Sequence, residues 1–264
     1  MWSILPHLAL VGKYHNRILI ETPSVIPVMK KLICLSMAAL VVLAGVSCKK
    51  ANNGDAGNDP GIVTPDPSGE TIVVPEAVDL GIVVDGKTIK WGSFNLGATK
   101  PEEYGDYYAW GETEPKDDYS WSTYKFGTSA SGPFSKYNTE DDKTVLESGP
   151  EGDDVASKLL GGKWRMPTDA EWTALRTQCT WTAQDGINGR LVTATNGNSI
   201  FLPFAGFRDA TGLSSAGSYG SYWSSSLNTD GPYRAWGVNF DSDYVGSYHY
   251  PRYSGFSVRP VCEE

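Results

Sequence analysis

Carboxylates and aromatic rings are interleaved between residues 110 and 124, and these residue types suit ligand binding. Carboxylates coordinate calcium, which prefers several oxygen ligands, and they accept hydrogen bonds from sugar hydroxyls, while indole and phenol rings stack on sugar rings. Two further acids flank an expected turn near the C-terminus. The candidate ligand-binding residues are Glu112, Glu114, Asp117, Trp121, Tyr124, Asp241 and Asp243.

A plainer interpretation is that these acids are solvated and that Trp110 belongs to the core. The E-P-N and W-N-D motifs of calcium-dependent lectins are absent, and Glu114-Pro115-Lys116 has a cation where the first motif has an amide. No C-x-x-C pair or histidine cluster indicates zinc. We therefore predict no required metal or cofactor, with calcium left open as an option.

The sequence is poor in catalytic groups. Downstream of Cys48 it contains one histidine, His249, which lies among aromatic residues in an expected loop. The serine run at residues 224–226 lacks a G-x-S-x-G elbow, so we interpret it as a strand with outward side chains. Cys179 and Cys262 are a candidate disulfide pair, since cysteines of exported proteins commonly pair in oxidising compartments. We predict no catalytic residue.

The N-terminal part of the chain predicts export and lipidation. Residues 29–47 combine a basic start, a short apolar run and small residues, which is typical of a bacterial lipoprotein signal peptide. The apolar run is too short to cross a bilayer comfortably. Cys48 follows it, where the lipidated cysteine of such a protein stands. Residues 1–28 do not fit a signal peptide, so we expect translation to start at Met29 and the upstream start to be misassigned.

Two further segments follow the predicted signal peptide. Residues 48–76 are rich in Asn, Gly, Asp and Pro, and they are predicted to form a flexible tether, because such a segment buries too little apolar surface to offset its ordering entropy. Residues 77–262 are rich in tryptophan and are predicted to be one folded domain. The net charge of −9 argues against a nucleic-acid partner and against electrostatic binding to anionic lipid.

Turn signals within the predicted domain favour short antiparallel strands. Asp85-Gly86 and Asn196-Gly197 each separate two strand-like runs, and such pairs tolerate the positive φ angles of tight hairpins. Residues 241–243 resemble a third turn, and residues 256–261 a final strand. Together with about two short helices, these patterns predict an α+β domain.

The helices are predicted from their end signals. The segment 153–160 begins with acidic residues, which suit the positive N-terminal end of a helix. Two glycines follow it, and glycine commonly ends a helix. Thr168 and Glu171 form a capping box, in which the threonine caps the helix and the glutamate reaches back. Trp172, Leu175 and later residues at helical spacing then lie on one side of this helix.

The second helix begins inside the stretch KWRMPTDAEW, residues 163–172, which is similar to the core motif of the Fibrobacter succinogenes major paralogous domain family. Matching stretches elsewhere follow the family's order along most of residues 78–261. They are Asn95–Ala98, Tyr104–Thr113, Asn198–Pro203, Tyr222–Ser226 and Ser257–Val261. The family occurs on bacterial secreted proteins and lipoproteins, and its biochemical role is largely undefined.

The same stretch is also similar to the formylglycine-generating, sulfatase-modifying enzymes. Both families resemble members of the wider C-type-lectin-like fold, which implies a compact antiparallel core with two helices. Such an enzyme would need a reactive cysteine pair binding copper, and neither Cys179 nor Cys262 lies in a motif of that kind. A shared fold does not imply a shared activity.

We interpret the shared stretch as a structural anchor of the fold, because none of its residues is an obvious nucleophile and its tryptophans can bury large apolar areas. The anchor residues are Trp164, Arg165, Pro167, Thr168, Glu171 and Trp172.

The sequence thus predicts a non-enzymatic binding or adhesion domain. It would be held at the outer membrane by lipid on Cys48, facing the cell surface or the periplasm, with a glycan or protein ligand. A sulfatase-modifying enzyme and a structural envelope component are the alternatives.

Overall fold

The computed structural model describes residues 63–65, 71–138, 140–184 and 186–263. The predicted signal peptide, the start at Met29 and the lipidation of Cys48 lie outside these residues. The strands are β1 (Val63–Pro65), β2 (Thr71–Val73), β3 (Ala77–Val84), β4 (Lys87–Gly92), β5 (Trp164–Arg165), β6 (Thr180–Gln184), β7 (Ile187–Thr193), β8 (Ser199–Pro203), β9 (Phe207–Asp209), β10 (Gly212–Ser214), β11 (Gly220–Leu227), β12 (Arg234–Phe240), β13 (Val245–Pro251) and β14 (Val261–Glu263). The helices are α1 (Val155–Leu160) and α2 (Asp169–Gln178).

The described strands form antiparallel sheets, and the predicted α+β class is confirmed. The sheet β3-β4-β14-β5 has four strands, and the sheets β11-β12-β13 and β6-β7-β8 have three each. The pairs β1-β2 and β9-β10 are two-stranded. Asp85-Gly86 and Asn196-Gly197 close the β3-β4 and β7-β8 hairpins as predicted, because both glycines adopt positive φ.

The end of the chain differs from its prediction. Residues 256–261 do not form one strand: Phe256 and Ser257 make isolated bridges to Tyr108 and Tyr222, and β14 starts only at Val261. Pro260 lies between these two pieces, and a proline has no backbone N–H to continue a ladder.

Two of the three buried clusters of the described core form layers, one on each face of the β11-β12-β13 sheet. Val238 and Phe240 of β12 belong to the layer that contains Trp172 of α2, whereas Ala235 belongs to the layer around α1. This division follows from the strand period of two, which points successive side chains to opposite faces. Trp110, predicted to be a core residue, is fully buried in the second layer.

The KWRMPTDAEW stretch joins these two layers. Trp164 packs in the layer around α1 and Trp172 in the layer beneath α2. Arg165 donates to both Glu171 oxygens, at 2.8 and 2.5 Å, and also pairs with Glu263 of β14 at 2.9 Å. The capping box between Thr168 and Glu171 is present in full. Among the described residues, this stretch therefore has the contacts expected of a structural anchor.

Two predictions about polar residues are wrong in their details. The serines at 224–226 do lie on a strand, but Ser224 and Ser225 are buried. Their hydroxyls donate to the backbone carbonyls of Trp236 and Pro167. His249 lies on β13, not in a loop, and its ring packs against Trp236 on the neighbouring strand at 5.2 Å.

The folded part also starts earlier than residue 77. β1 pairs with β2, and Ile72 and Val74 pack against the layer around α1. The burial of these apolar side chains stabilises the pairing of this segment with the core. No helix in the described ranges is long and apolar enough to span a membrane.

Two fully buried arginines tie loops to the core. Arg252 donates to the Tyr124 hydroxyl and to the carbonyls of Lys136, Tyr137 and Pro232. Arg259 donates to Asn95 and to the carbonyls of Gly92 and Phe201. Each guanidinium is thus surrounded by oxygen acceptors, which compensates for its burial.

Candidate functional site

The predicted cluster of acids and aromatics at residues 112–124 is divided by the fold. Glu112 is buried, and its carboxylate pairs with Lys116 at 2.8 Å and accepts the backbone N–H of Lys125 at 2.8 Å. Tyr124 is buried too: its hydroxyl donates to the Trp110 carbonyl and accepts from Arg252. Both side chains are occupied by internal contacts.

The remaining members of that cluster reach solvent. Glu114 and Asp117 are exposed, and Trp121 is half-buried. The Trp121 ring packs edge-on against Tyr253 at 5.0 Å and lies 5.9 Å from Phe134. Neither Tyr253 nor Phe134 was predicted, because both come from segments distant in sequence. Trp121 therefore lies at the rim of an aromatic cluster.

The acids do not gather into a calcium site within the described part of the chain. No group of three or more His, Cys, Asp or Glu side chains is placed to hold a metal ion there. Asp241 and Asp243 lie in the turn between β12 and β13, whereas the other acidic candidates lie in the loop after Gly111. These acidic residues have their carboxylate groups in common, but not their position in the fold.

The predicted disulfide between Cys179 and Cys262 is not formed. Cys179 ends α2 and packs against the layer beneath that helix, whereas Cys262 of β14 belongs to the layer around α1. The core therefore separates the two residues. Burial raises the pKa of the Cys179 thiol, which lowers the fraction present as the nucleophilic thiolate.

Asp241 shapes the turn between β12 and β13. Its Oδ1 accepts hydrogen bonds from the backbone N–H groups of Asp243 and Tyr244, both at 2.8 Å. These bonds lower the pKa of the Asp241 carboxyl. Arg190 of β7 donates to the carbonyls of Asp241 and Ser242 from below. The predicted ligand residue Asp241 thus fixes the position of Tyr244, and Asp243 is exposed beside it.

Beyond this turn, four tyrosines form a surface that the sequence analysis missed. We call Tyr219, Tyr244, Tyr248 and Tyr250 the tyrosine surface. Tyr244 and Tyr248 are 49% and 43% exposed, and the Tyr248 hydroxyl donates to that of Tyr244 at 3.0 Å. The ring of Tyr250 lies 6.4 Å from that of Tyr248. Large exposed aromatic groups of this kind mark contact surfaces.

Buried residues beneath the tyrosine surface hold the rings in place. Asn239, only 2% exposed, donates from its amide to the hydroxyls of Tyr219 and Tyr250. Its Oδ1 has no hydrogen-bond partner among the described residues. Gly246 leaves room for the ring of Tyr244, because a Cβ there would lie 2.3 Å from the tyrosine oxygen. The surface is therefore supported from below.

Small, uncharged residues border the tyrosine surface on the side of Tyr219. The segment from Ser214 to Ser218 consists of serine, alanine and glycine, and most of it is exposed. Its turn brings Tyr219 into place through a hydrogen bond from the Tyr219 N–H to the Ser215 carbonyl at 3.0 Å. This side of the tyrosine surface carries no charge, whereas the chain has a net charge of −9.

A pair of adjoining cavities lies beside the KWRMPTDAEW stretch. They measure about 230 and 410 Å³ and share Ser148, Arg165 and Glu263. Four of the charged side chains in their walls pair with one another: Lys87 with Glu263, and Arg165 with Glu171 and Glu263. These side chains form an ion-pair network that stabilises the fold. The tyrosine surface is therefore the better candidate for a ligand-binding site.

Comparison with known proteins adds one family match. A model described as a domain of unknown function (DUF8237) matches residues 190–261. This range starts at Arg190 and includes the tyrosine surface, the turn at Asp241 and both buried arginines. No curated protein and no solved structure matches the chain. The resemblance to the Fibrobacter succinogenes major paralogous domain family stays a prediction.

Proposed function

We propose that the protein is a lipid-tethered, extracytoplasmic binding or adhesion domain without catalytic activity. The tyrosine surface is its ligand-contacting face. The observation that carries this proposal is the exposure of Tyr244 and Tyr248 beside Tyr219 and Tyr250, whose hydroxyls accept hydrogen bonds from the buried Asn239. Lipid on Cys48 and a location at the outer membrane are part of the proposal, and they are supported by the sequence pattern of residues 29–48.

Tyrosine suits such a role for physical reasons. Its ring supplies contact area with few rotatable bonds, and its hydroxyl both donates and accepts hydrogen bonds. Tyrosine beside serine and glycine is the composition of many protein-binding loops. This favours a protein ligand at the tyrosine surface, with a glycan as the alternative that the same chemistry accommodates.

The proposal of a non-enzymatic role is supported by the cysteines. A sulfatase-modifying enzyme would need two cooperating cysteines, and here Cys179 and Cys262 pack in different layers of the core. The raised pKa of Cys179 also disfavours a reactive thiolate.

The proposal can be tested with arrays of purified envelope proteins and of glycans, probed with the full-length protein. The test variant is Tyr244→Ser with Tyr248→Ser, and the matched control is Val83→Ser with Leu213→Ser, which also alters two exposed side chains. We expect at least one array component to bind the wild type and the control but not the tyrosine variant. Binding that all three proteins share would contradict the role of this surface, and self-association alone would favour a structural envelope component.

A further inference from the structure

Strand β13 forms one edge of the β11-β12-β13 sheet. Among the described strands it pairs with β12 alone, and its seven residues match seven residues of β12 without a register shift. All of them except Gly246 are at least partly exposed. The edge is therefore long, regular and reached by solvent, which are the properties that let a sheet accept another strand.

Hydrogen bonds at the two ends of the β12-β13 hairpin determine which backbone groups of β13 face β12. The Asp241 N–H donates to the Tyr244 carbonyl at 3.0 Å, and the Arg252 N–H donates to the Tyr233 carbonyl at 3.1 Å. Between these ends, hydrogen-bonded and non-hydrogen-bonded pairs alternate, as in any antiparallel ladder. The residues of β13 that bond to β12 through their backbones are then Gly246, Tyr248 and Tyr250.

The residues in between direct their backbone groups away from β12. They are Val245, Ser247 and His249, and Pro251 ends the row of donors because proline has no N–H. Among the residues that the structure describes, these outward groups have no backbone partner. Successive outward residues are about 7 Å apart, the repeat at which an extended polypeptide presents its own N–H and C=O groups. The row therefore matches a second polypeptide strand.

Other edges in the described part of the chain are protected. On β11, at the opposite side of the same sheet, the N–H groups of Trp223 and Ser225 donate to the carbonyls of Ser257 and Pro167. On β3, the register shifts after Asp79, whose carbonyl accepts from two asparagine side chains. Strand β13 has no register shift and no Asp, Glu, Lys or Arg. Bulges, charges and covering loops usually protect an edge, so their absence marks β13 as a pairing surface.

The surroundings of this edge restrict the chemistry of the partner. Tyr248 and Tyr250 lie on one face of β13, so every second residue of an added strand would lie beside them. Apolar and aromatic side chains suit these positions. Asp243 is exposed at the turn end of β13, and the chain has a net charge of −9. This charge favours a partner segment with lysine or arginine over a second copy of the same acidic chain.

We propose that β13 binds an extended segment of a partner protein by strand addition, which extends the β11-β12-β13 sheet by one strand. The paired part of the segment lacks proline, has apolar or aromatic residues at alternate positions and is neutral or basic. Its backbone exchanges hydrogen bonds with Ser247 and His249, and its side chains on one face contact Tyr248. This inference rests on the proposed function, because it specifies how a protein ligand binds beside the tyrosine surface.

The probe for the test is a peptide selected on the full-length protein from a phage library of random peptides. Amide hydrogen exchange, followed by NMR, reports the pairing. In the free protein the amides of Ser247 and His249 should exchange faster than that of Tyr248, which bonds to β12. Bound peptide should slow the exchange of Ser247 and His249 at least tenfold and leave that of Tyr248 nearly unchanged.

Two variants at one position test the same contact by affinity. Ser247→Pro removes the outward N–H, whereas Ser247→Ala removes the same hydroxyl and keeps that N–H. Ser247→Ala should bind the peptide as the wild type does, and Ser247→Pro at least tenfold more weakly, which corresponds to the loss of about one hydrogen bond. Circular dichroism and thermal melting establish that both variants are folded. If Ser247→Pro unfolds, the exchange measurement on the wild type decides.

The inference is overturned if no peptide is enriched, or if bound peptide leaves the amides of Ser247 and His249 unprotected. Protection of these amides in the free protein that grows with its concentration would also overturn it, in favour of pairing with a second copy. Unprotected amides, together with lost peptide binding in the Tyr244→Ser, Tyr248→Ser variant, would leave the proposed function intact. Protected amides with unchanged binding by that variant would instead contradict the role of the tyrosine surface.

Discussion

Arg190 of β7 donates a hydrogen bond to the backbone carbonyl of Asp241 at 2.8 Å, across 51 residues of sequence. The same guanidinium also donates to the carbonyls of Ser242 and Trp181. A residue of one sheet therefore holds the turn of another, and that turn positions Tyr244. This relationship connects the stability of the fold to the geometry of the tyrosine surface.

Replacement of Arg190 by methionine should lower the free energy of unfolding by about 3 kcal/mol, because it removes the charge-assisted hydrogen bonds from a buried guanidinium to three backbone carbonyls. Urea unfolding measures the change. Arg208→Met is the control: its guanidinium stacks over Tyr107 at 5.3 Å, and losing such a contact should amount to about 1 kcal/mol or less. Equal losses for the two variants would contradict the role given to Arg190.

Gly246→Ala should displace Tyr244 without unfolding the protein. The added Cβ would overlap the Tyr244 ring, but this ring is exposed and can swing outward. The hydrogen bond from Tyr248 to Tyr244 then breaks. NMR spectra with ¹³C-labelled tyrosine should show shifted signals for both residues.

Gly212→Ala is the matched control for that variant. Gly212 also lies on a strand, but a Cβ there would meet only the Asp209 carbonyl oxygen at 3.6 Å, an ordinary contact. Its tyrosine spectrum should equal that of the wild type. Unshifted Tyr244 and Tyr248 signals in Gly246→Ala would mean that the glycine does not position the surface.

The anchor can be tested at Arg165. Arg165→Met leaves the buried Glu171 carboxylate without its partner, and breaking a buried ion pair in this way lowers stability by about 3–5 kcal/mol. Urea unfolding of Arg165→Met, of Glu171→Leu and of the double variant gives the coupling energy. We expect the double variant to be more stable than Arg165→Met. A loss below about 1 kcal/mol in Arg165→Met would show that the pair is not an anchor.

Asp154 should make stability depend on pH between about 4 and 6. Burial raises the pKa of its carboxyl from 3.8 to about 6, although it accepts backbone hydrogen bonds from Ser157 and Met166. The folded state thus holds the proton more tightly than the unfolded state. The stabilisation is fully present below pH 4 and is lost as the pH rises through 6.

The size of this effect is about 3 kcal/mol, at about 1.4 kcal/mol per pKa unit. Urea unfolding of the wild type and Asp154→Asn across this pH range isolates it, because asparagine keeps an acceptor oxygen but does not titrate. The difference in unfolding free energy between the two proteins should change as the pH rises from about 4 to about 6. Parallel curves would contradict the raised pKa.

Local signals in the sequence predicted much of the fold. The capping box at Thr168 and the two glycine turns depend on residues close in sequence, and each is present. The layers of the core and the separation of Cys179 from Cys262 depend on long-range packing. No spacing rule reports such packing, so the disulfide prediction was wrong.

The candidate site was harder to predict for the same reason. Residue type alone placed Glu112 and Tyr124 among the ligand residues, yet the fold buries both. Tyr219 and Tyr248 lie on different segments that only the sheet brings together. The alternation of Gly246, Tyr248 and Tyr250 along one strand was the available signal, since residues two apart share a face.

The most direct test of the binding role is photo-crosslinking from the tyrosine surface on living cells. A photoreactive phenylalanine replaces Tyr248 in the full-length protein, and in the control it replaces Val83, which is 54% exposed on the β3-β4 hairpin. The account predicts a discrete adduct from position 248 that is absent from position 83 and disappears when Tyr244 is also changed to serine. Identical adducts from both positions would contradict the binding role of the tyrosine surface. The absence of an adduct from position 248 while the array ligand is bound would contradict it as well.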